Sequence, residues 1–228
     1  MKIPIIINNR NLLTLPSKMV DVCKTFDDVG DVIIVDNNST YEPLLEWYKT
    51  NPCEIVYSEN NGQSCPWIIN LHQKLGAKYY VVTDPDLDLS QTPKDCLLFI
   101  KDKMEKYQDY SKIGLSLYNW QVPENSPYHH FLKTWAIVNW DENSVSDGLL
   151  VNQLIDTTFG MYDIDKSRNS GKNCATYLPY SARHVPWEMT NDVIMDMKEK
   201  DFEYFYYLSS ATSASSFKQF VGFNNYNE

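Results

Sequence analysis

The chain has 228 residues, of which 43% are hydrophobic and 14% aromatic, and a formal net charge of −10. That length and core content suit one sizeable α/β domain and exclude a disordered chain. The acidic balance, with no Lys/Arg cluster, excludes a protein that wraps a nucleic-acid backbone. No run approaches the roughly 20 apolar residues of a membrane helix. The apolar run near Met1 is too short for a signal peptide, so a soluble, cytoplasmic protein is expected. Five cysteines without Cys-x-x-Cys spacing fit reduced thiols better than a zinc ribbon or redox motif.

The first half alternates strand and helix. Ile3–Ile7 is a continuous apolar run, suited to a strand covered on both faces. A helix follows with Thr14 as N-cap and Leu15, Met19, Val22, Cys23 and Phe26 on one face. Asp31–Val35 reads as the second strand. Ser39-Thr40-Tyr41-Glu42 has capping-box spacing, so a helix is expected to start there and bury Leu44, Leu45 and Tyr48. Glu54–Tyr57 is a short third strand, and Ser64 can cap a helix carrying Ile68, Leu71 and Leu75. Tyr79–Thr83 is the fourth strand, Thr92-Pro93 opens a helix over Leu97, Ile100, Met104 and Tyr107, and Lys112–Leu117 is the fifth strand. Repeated βα units with short loops imply a mostly parallel sheet.

After Asn119 the pattern changes. Residues 119–153 are rich in Trp, Tyr, His, Asn and Pro, with one helix expected over His129–Asn139. Leu154–Tyr162 returns to strand, Asp163–Cys174 reads as a polar loop, and a last helix is expected from about Asp192 to Tyr207. With no repeat or linker in view, the expectation is one domain over residues 1–228. Its first half would be 1–118, its second half 119–208, and its tail 209–228.

The chemistry concentrates after the fourth strand, at Asp84-Pro85-Asp86. Residues i and i+2 of an extended chain point to one side, and Pro85 fixes the backbone between the two carboxylates. They can converge on a hard divalent cation at the end of a strand, where ligands of open α/β sheets bind. Such an ion, Mn²⁺ or Mg²⁺, would bridge to a diphosphate and supply the local positive charge that an acidic protein needs for an anionic nucleotide. Turns also accept Asp readily. A calcium loop is excluded because its glycine and glutamate positions hold Leu89 and Asp95.

Asp36 ends the second strand, where its carboxylate can accept from ribose hydroxyls or a uracil imide, or hold a turn with Asn37, Asn38 and Ser39. Asn60-Asn61-Gly62 can approach a base closely because Gly62 lacks a Cβ, or form a plain turn. Arg10, after the first strand, can touch a phosphate or base, or lie on the surface. Trp120, Trp135, Trp140 and Trp187 can pack a core or face a sugar ring.

Taken in order, the segments Val35-Asp36-Asn37-Asn38-Ser39, Asn60-Asn61-Gly62, Thr83-Asp84-Pro85-Asp86, Ile155-Asp156-Thr157-Thr158-Phe159 and Tyr180-Ser181-Ala182-Arg183-His184-Val185-Pro186-Trp187 resemble small GT-A-fold, family-2-like glycosyltransferases. These are of the kind found in polysaccharide-building clusters and in some large DNA viruses, which would place such a protein in the host cytoplasm. The resemblance spans roughly residues 3 to 190 and implies an α/β fold with a mostly parallel sheet flanked by helices. It implies transfer of a sugar from a nucleotide diphosphate, UDP favoured over GDP or dTDP, to a glycan or other hydroxyl acceptor. Asp36 would contact the nucleoside, with Asn38, Asn61 and Arg10 beside it. Asp84 and Asp86 would hold the metal against the diphosphate, His184 would complete its shell, and Asp156 would be the base of an inverting reaction. Where the family often has two acidic residues, this chain has Ile155-Asp156. A sugar-nucleotide pyrophosphorylase is disfavoured because Asn8–Leu13 has no glycine, and a binding module that has lost catalysis ranks third.

Overall fold

The computed structural model describes residues 2–118, 122–126, 128–130, 132, 140–155, 158–168, 171–190, 192–193 and 203. The first half runs β1 (Ile3–Asn9), α1 (Thr14–Cys23), β2 (Val29–Asn37), α2 (Glu42–Tyr48), β3 (Glu54–Ser58), α3 (Cys65–Ile68), α4 (Leu71–Lys74), β4 (Tyr79–Thr83), β5 (Leu87–Asp88) and α5 (Cys96–Lys106). Strands β6 (Tyr110–Gly114), β7 (Ser116–Leu117), β8 (Val145–Ser146), β9 (Leu149–Leu150), β10 (Gly160–Asp163), β11 (Lys172–Thr176) and β12 (Ser181–His184) follow.

Nine strands form one sheet in the order β3-β2-β1-β4-β10-β6-β11-β9-β8. β1 to β4 pair in parallel, β10 runs antiparallel between β4 and β6, and β11 returns parallel to β6. A second sheet, β5-β12-β7, forms from short strands. The central strands are apolar on both faces because both faces are covered. Ile5, Ile7, Ile34 and Val81 pack with Met19 and Val20 of α1 and Ile100 and Met104 of α5. Their neighbours Ile6, Ile33, Val35, Tyr80 and Val82 face the other way, against Cys65 and Leu71 of α3 and α4. The fold is therefore the mixed α/β architecture the sequence predicts, a largely parallel sheet between helices.

Several local expectations are corrected. The first turn of α2 is not capped by Ser39; the Thr40 and Tyr41 amides donate to Asn11 Oδ1, at 2.6 and 3.0 Å. The helix expected after Ser64 breaks at Asn70, whose φ of 53° is left-handed, leaving Ile68 56% exposed. α5 starts at Cys96, after Thr92 has turned its hydroxyl to the Ser181 carbonyl. The single strand expected over Lys112–Leu117 is split between the two sheets. The strand expected over Leu154–Tyr162 begins only at Gly160, and the supposed loop Asp163–Cys174 ends in β11. Most of the helices expected over 129–139 and 192–207 lies outside the described residues.

Gly114 of β6 sits opposite Gly160 of β10. A Cβ at Gly114 would lie 2.6 Å from Ile155 Cδ1 and 2.8 Å from the Phe159 carbonyl oxygen. The absence of a Cβ at Gly114 lets Ile155 and Phe159 approach the sheet closely. Gly114→Ala is expected to destabilise the fold by about 1–3 kcal/mol, the usual cost of overpacking, read by urea denaturation. A loss below a few tenths of a kcal/mol would mean that the crossing is slack.

Candidate active site at the strand ends

β1 to β4 end on one edge of the sheet, with Asn9 beside Asp36, Asn37 beside Ser58 and Ile7 beside Thr83. The polar side chains there are buried and tied together. Asn37 Nδ2 donates to Asn8 Oδ1 at 2.7 Å, Asn8 Nδ2 to the Gly62 carbonyl at 3.1 Å, and the Asn61 amide to Asn37 Oδ1 at 3.2 Å. The Asn60-Asn61-Gly62 loop is thereby clamped onto the ends of β1 and β2. Asn38 is exposed in a left-handed conformation, φ 59°, which asparagine tolerates better than most residues.

Asp36 is 2% exposed. Its Oδ1 accepts from the Ser39 amide at 2.9 Å; its Oδ2 accepts from the Ser39 hydroxyl and, at 3.0 Å, from the Tyr48 phenol. Burial, then the Asp36 charge, pushes the Tyr48 phenol far above its ordinary value. Of the two roles open to Asp36, holding the turn is the one its hydrogen bonds display. Arg10 lies above it, with Nη1 donating to the Asn37 carbonyl and, at 3.0 Å, to the Asn38 carbonyl. Desolvation lowers the Arg10 pKa and the nearby Asp36 opposes that; an arginine is not deprotonated in a protein.

The Asp84–Asp86 turn follows β4, with Asp84 half-buried and Asp86 buried. The β12–β5 ladder pairs His184 with Leu87, and this brings His184 Nε2 to 3.4 Å from Asp86 Oδ2. The Val185 amide donates to the Asp86 carbonyl at 3.1 Å, and Trp187 packs on the imidazole at 4.7 Å. Asp86 Oδ1 has no hydrogen-bond partner among the described residues. Tyr128, which the sequence analysis did not single out, is buried close by; desolvation and then the Asp86 charge raise its pKa. Nothing in its Pro-Tyr-His-His context signals that placement.

Arg183 is engaged elsewhere, 3.1 Å from Asp88 and bonded through Nε to Glu188 at 2.9 Å. Asp156 lies outside the described residues, but its flanks are anchored. The Ile155 amide donates to Asn173 Oδ1 at 2.9 Å, and the Phe159 carbonyl accepts from the Leu115 amide at 3.2 Å. Tyr118, Trp140 and Tyr177 form a tilted aromatic group, with centroids 5.1 and 5.9 Å apart; Trp120 and Trp135 lie outside the described residues.

Among the described residues no three His, Cys, Asp or Glu side chains gather closely enough to hold a metal ion alone. The full Asp84–Asp86–His184 triad is thus not assembled. What is present is the pair Asp86–His184 with an unused carboxylate oxygen. That donor set fits one side of a divalent cation site whose remaining ligands come from outside the protein.

No family model matches the sequence, and no curated protein does. Among solved structures, glucosyl-3-phosphoglycerate synthase from Mycobacterium tuberculosis, in complex with Mn²⁺, UDP and glucosyl-3-phosphoglycerate, superposes with a TM-score of 0.51 at 13% identity, over 94% of this chain and 81% of that one. The chain has the GT-A fold. Another structure of that synthase, with phosphoglyceric acid, aligns at a TM-score of 0.45 and 11% identity, over 71% of this chain and 56% of that one, so this chain spans little more than half its length. Residues 1–349 of S. aureus TarS align at 0.48 and 14%, over 97% and 69%. Among the described residues no helix is long and apolar enough to cross a membrane.

The Asp36 cluster gives a direct test. Asp36→Ala strands the buried Tyr48 hydroxyl and the Ser39 amide, and is expected to lower stability by about 2–4 kcal/mol. Tyr48→Phe, which removes a donor to Asp36 and the acceptor of Asn9 Nδ2, is expected to cost about 1–2 kcal/mol. Denaturation midpoints for both variants check this; an Asp36→Ala variant as stable as the parent would show that the carboxylate does not hold the turn.

Proposed function

We propose that the protein is a glycosyltransferase, folded as one domain, that moves a sugar from a nucleoside diphosphate to a hydroxyl acceptor. The observation that carries this is the meeting of Asp86 and His184, 3.4 Å apart, beside the ends of parallel strands. Asp86 has a buried oxygen to spare there, and this is where ligands of open α/β sheets bind. Support also comes from the GT-A fold, shared with a synthase whose solved complex holds Mn²⁺ and UDP.

In this reading the nucleoside lies over the clamped Asn60-Asn61-Gly62 loop and Asn38, with Asp36 shaping the floor and Arg10 supplying a fixed positive charge. Asp86 and His184, with Asp84 at the turn beside them, would hold Mn²⁺ or Mg²⁺; an imidazole ligand would favour Mn²⁺. The ion, when bound, neutralises charge on the departing diphosphate. Asp156 takes the acceptor proton as the hydroxyl oxygen bonds to the anomeric carbon and the diphosphate leaves from the opposite face. The product is then inverted at that carbon. A UDP-sugar is the favoured donor and a glycan the favoured acceptor.

Calorimetry with UDP tests the metal pair. The parent is expected to bind UDP only with Mn²⁺ or Mg²⁺, and Asp86→Ala to abolish that dependence. His184→Ala is expected to weaken binding about tenfold, as for a lost charge-assisted contact. Tight metal-independent binding by the parent would overturn the assignment. For the chemical step, Asp156→Asn is expected to leave UDP binding near normal and cut sugar transfer by roughly 10²–10⁴-fold, the range of general-base catalysis. Retained configuration in the product would contradict direct displacement.

A further inference from the structure

α1 begins without a cap of its own. Leu13 holds the N-cap position, its side chain makes no cap hydrogen bond, and the first turn holds no acidic residue. The first amides of a helix have no partner within it and must find one elsewhere. Here the Leu13 and Thr14 amides donate to a single oxygen of Glu203, at 2.5 and 2.7 Å, across 190 positions of sequence in the first case. Glu203 is 3% exposed, and its other oxygen has no hydrogen-bond partner among the described residues. Burying a carboxylate is costly. Two charge-assisted bonds and the positive end of the helix dipole offset that cost.

The segment that Glu203 grips leads straight to the candidate site. Residues 9–13 join β1 to α1, and their other side is fixed by asparagines. Asn9 Nδ2 donates to the Leu12 carbonyl at 2.8 Å and to the Tyr48 oxygen at 2.9 Å. The Asn11 amide donates to Ser39 Oγ at 2.9 Å, and its Oδ1 receives the Thr40 and Tyr41 amides. Ser39 and Tyr48 in turn bind Asp36. Arg10 lies in the middle of this loop, its guanidinium on the Asn37 and Asn38 carbonyls. Hydrogen bonds at the two ends of residues 11–13, joined by the backbone between them, thus connect Glu203 to Asp36.

We propose that Glu203 is a positioning residue for the ligand-binding end of the sheet. By holding the first amides of α1 it fixes the loop 9–13 and keeps the Arg10 charge at the ends of β1 and β2, beside the nucleoside diphosphate of a donor. The proposal rests on the function proposed above and makes that site depend on a residue far along the chain. Glu203 touches no reacting atom; it acts through the loop.

The test uses the full chain as parent, Glu203→Ala, Glu203→Gln, and Met104→Ala as a control that loosens the α5 core without touching the loop. Two quantities are read well below each variant's unfolding temperature: hydrogen exchange of the Leu13 and Thr14 amides, and the UDP dissociation constant with Mn²⁺. Glu203→Ala is expected to speed exchange of both amides and weaken UDP binding, each about tenfold, the equivalent of one lost charge-assisted bond. Glu203→Gln keeps a neutral acceptor and should fall between, which serves where the alanine variant folds poorly. Met104→Ala should lower the unfolding temperature while leaving both readings as in the parent. Unchanged exchange in the Glu203 variants overturns the proposal, and so does faster exchange with unchanged UDP affinity, which would make the cap purely structural. A parent that binds no UDP would overturn the functional reading instead, and the exchange data would then decide the loop-holding role alone.

Discussion

The pairing of β12 with β5 is the constraint on which the candidate site depends. Neither strand is long, and β5 has only two residues. Their register is locked by Arg183, which reaches across to Asp88 and back to Glu188 in its own segment. Side chains alternate along a strand, so a slip of one residue would turn His184 away from Asp86. Arg183 therefore does its work as a register pin. β7 pairs with Ser181 and Ala182 on the other side, so β12 is held by β7 at its start and by β5 at its histidine end.

The sheet edge that would face a ligand is built from polar groups withdrawn from water. Asn8, Asn9, Asp36, Asn37 and Asp86 are all buried, and each unmet polar atom among them would cost on the order of 1–3 kcal/mol. Most find one another, in a web that ties three strand ends together. Asp86 Oδ1, Asn9 Oδ1 and Arg10 Nε do not find partners among the described residues. Exceptions at the edge where ligands bind are more telling than exceptions scattered through a core.

The first four strands were legible because their apolar runs are continuous and bounded by turn residues. Their ends were not, since Asn8, Asn9, Asp36 and Asn37 read as loop while the ladder carries them as strand. β11 was missed for a related reason. Lys172 and Asn173 open it and look like solvent-facing loop, yet β6 and β9 pair with the strand on its two sides. Asp84 and Asp86 could be picked out from local spacing. The approach of His184 to Asp86 has no local signature; only family resemblance suggested it, and the strand ladder supplies its geometry. Tyr128 and Glu203 were invisible because burial beside a carboxylate and capping of a distant helix leave no trace in nearby sequence.

The position of β10 bears on how the chain emerges during synthesis. β4 pairs with β1 on one side, and among the described residues its other side is met by β10. As residues leave the ribosome in order, the helices and strands up to β4 can assemble while the Tyr79–Thr83 edge waits through α5, β6 and the segment beyond. An apolar strand with open amides and carbonyls is a template for mispairing. The nascent chain is therefore most prone to aggregate in that interval, and closure of β10 onto β4 ends it.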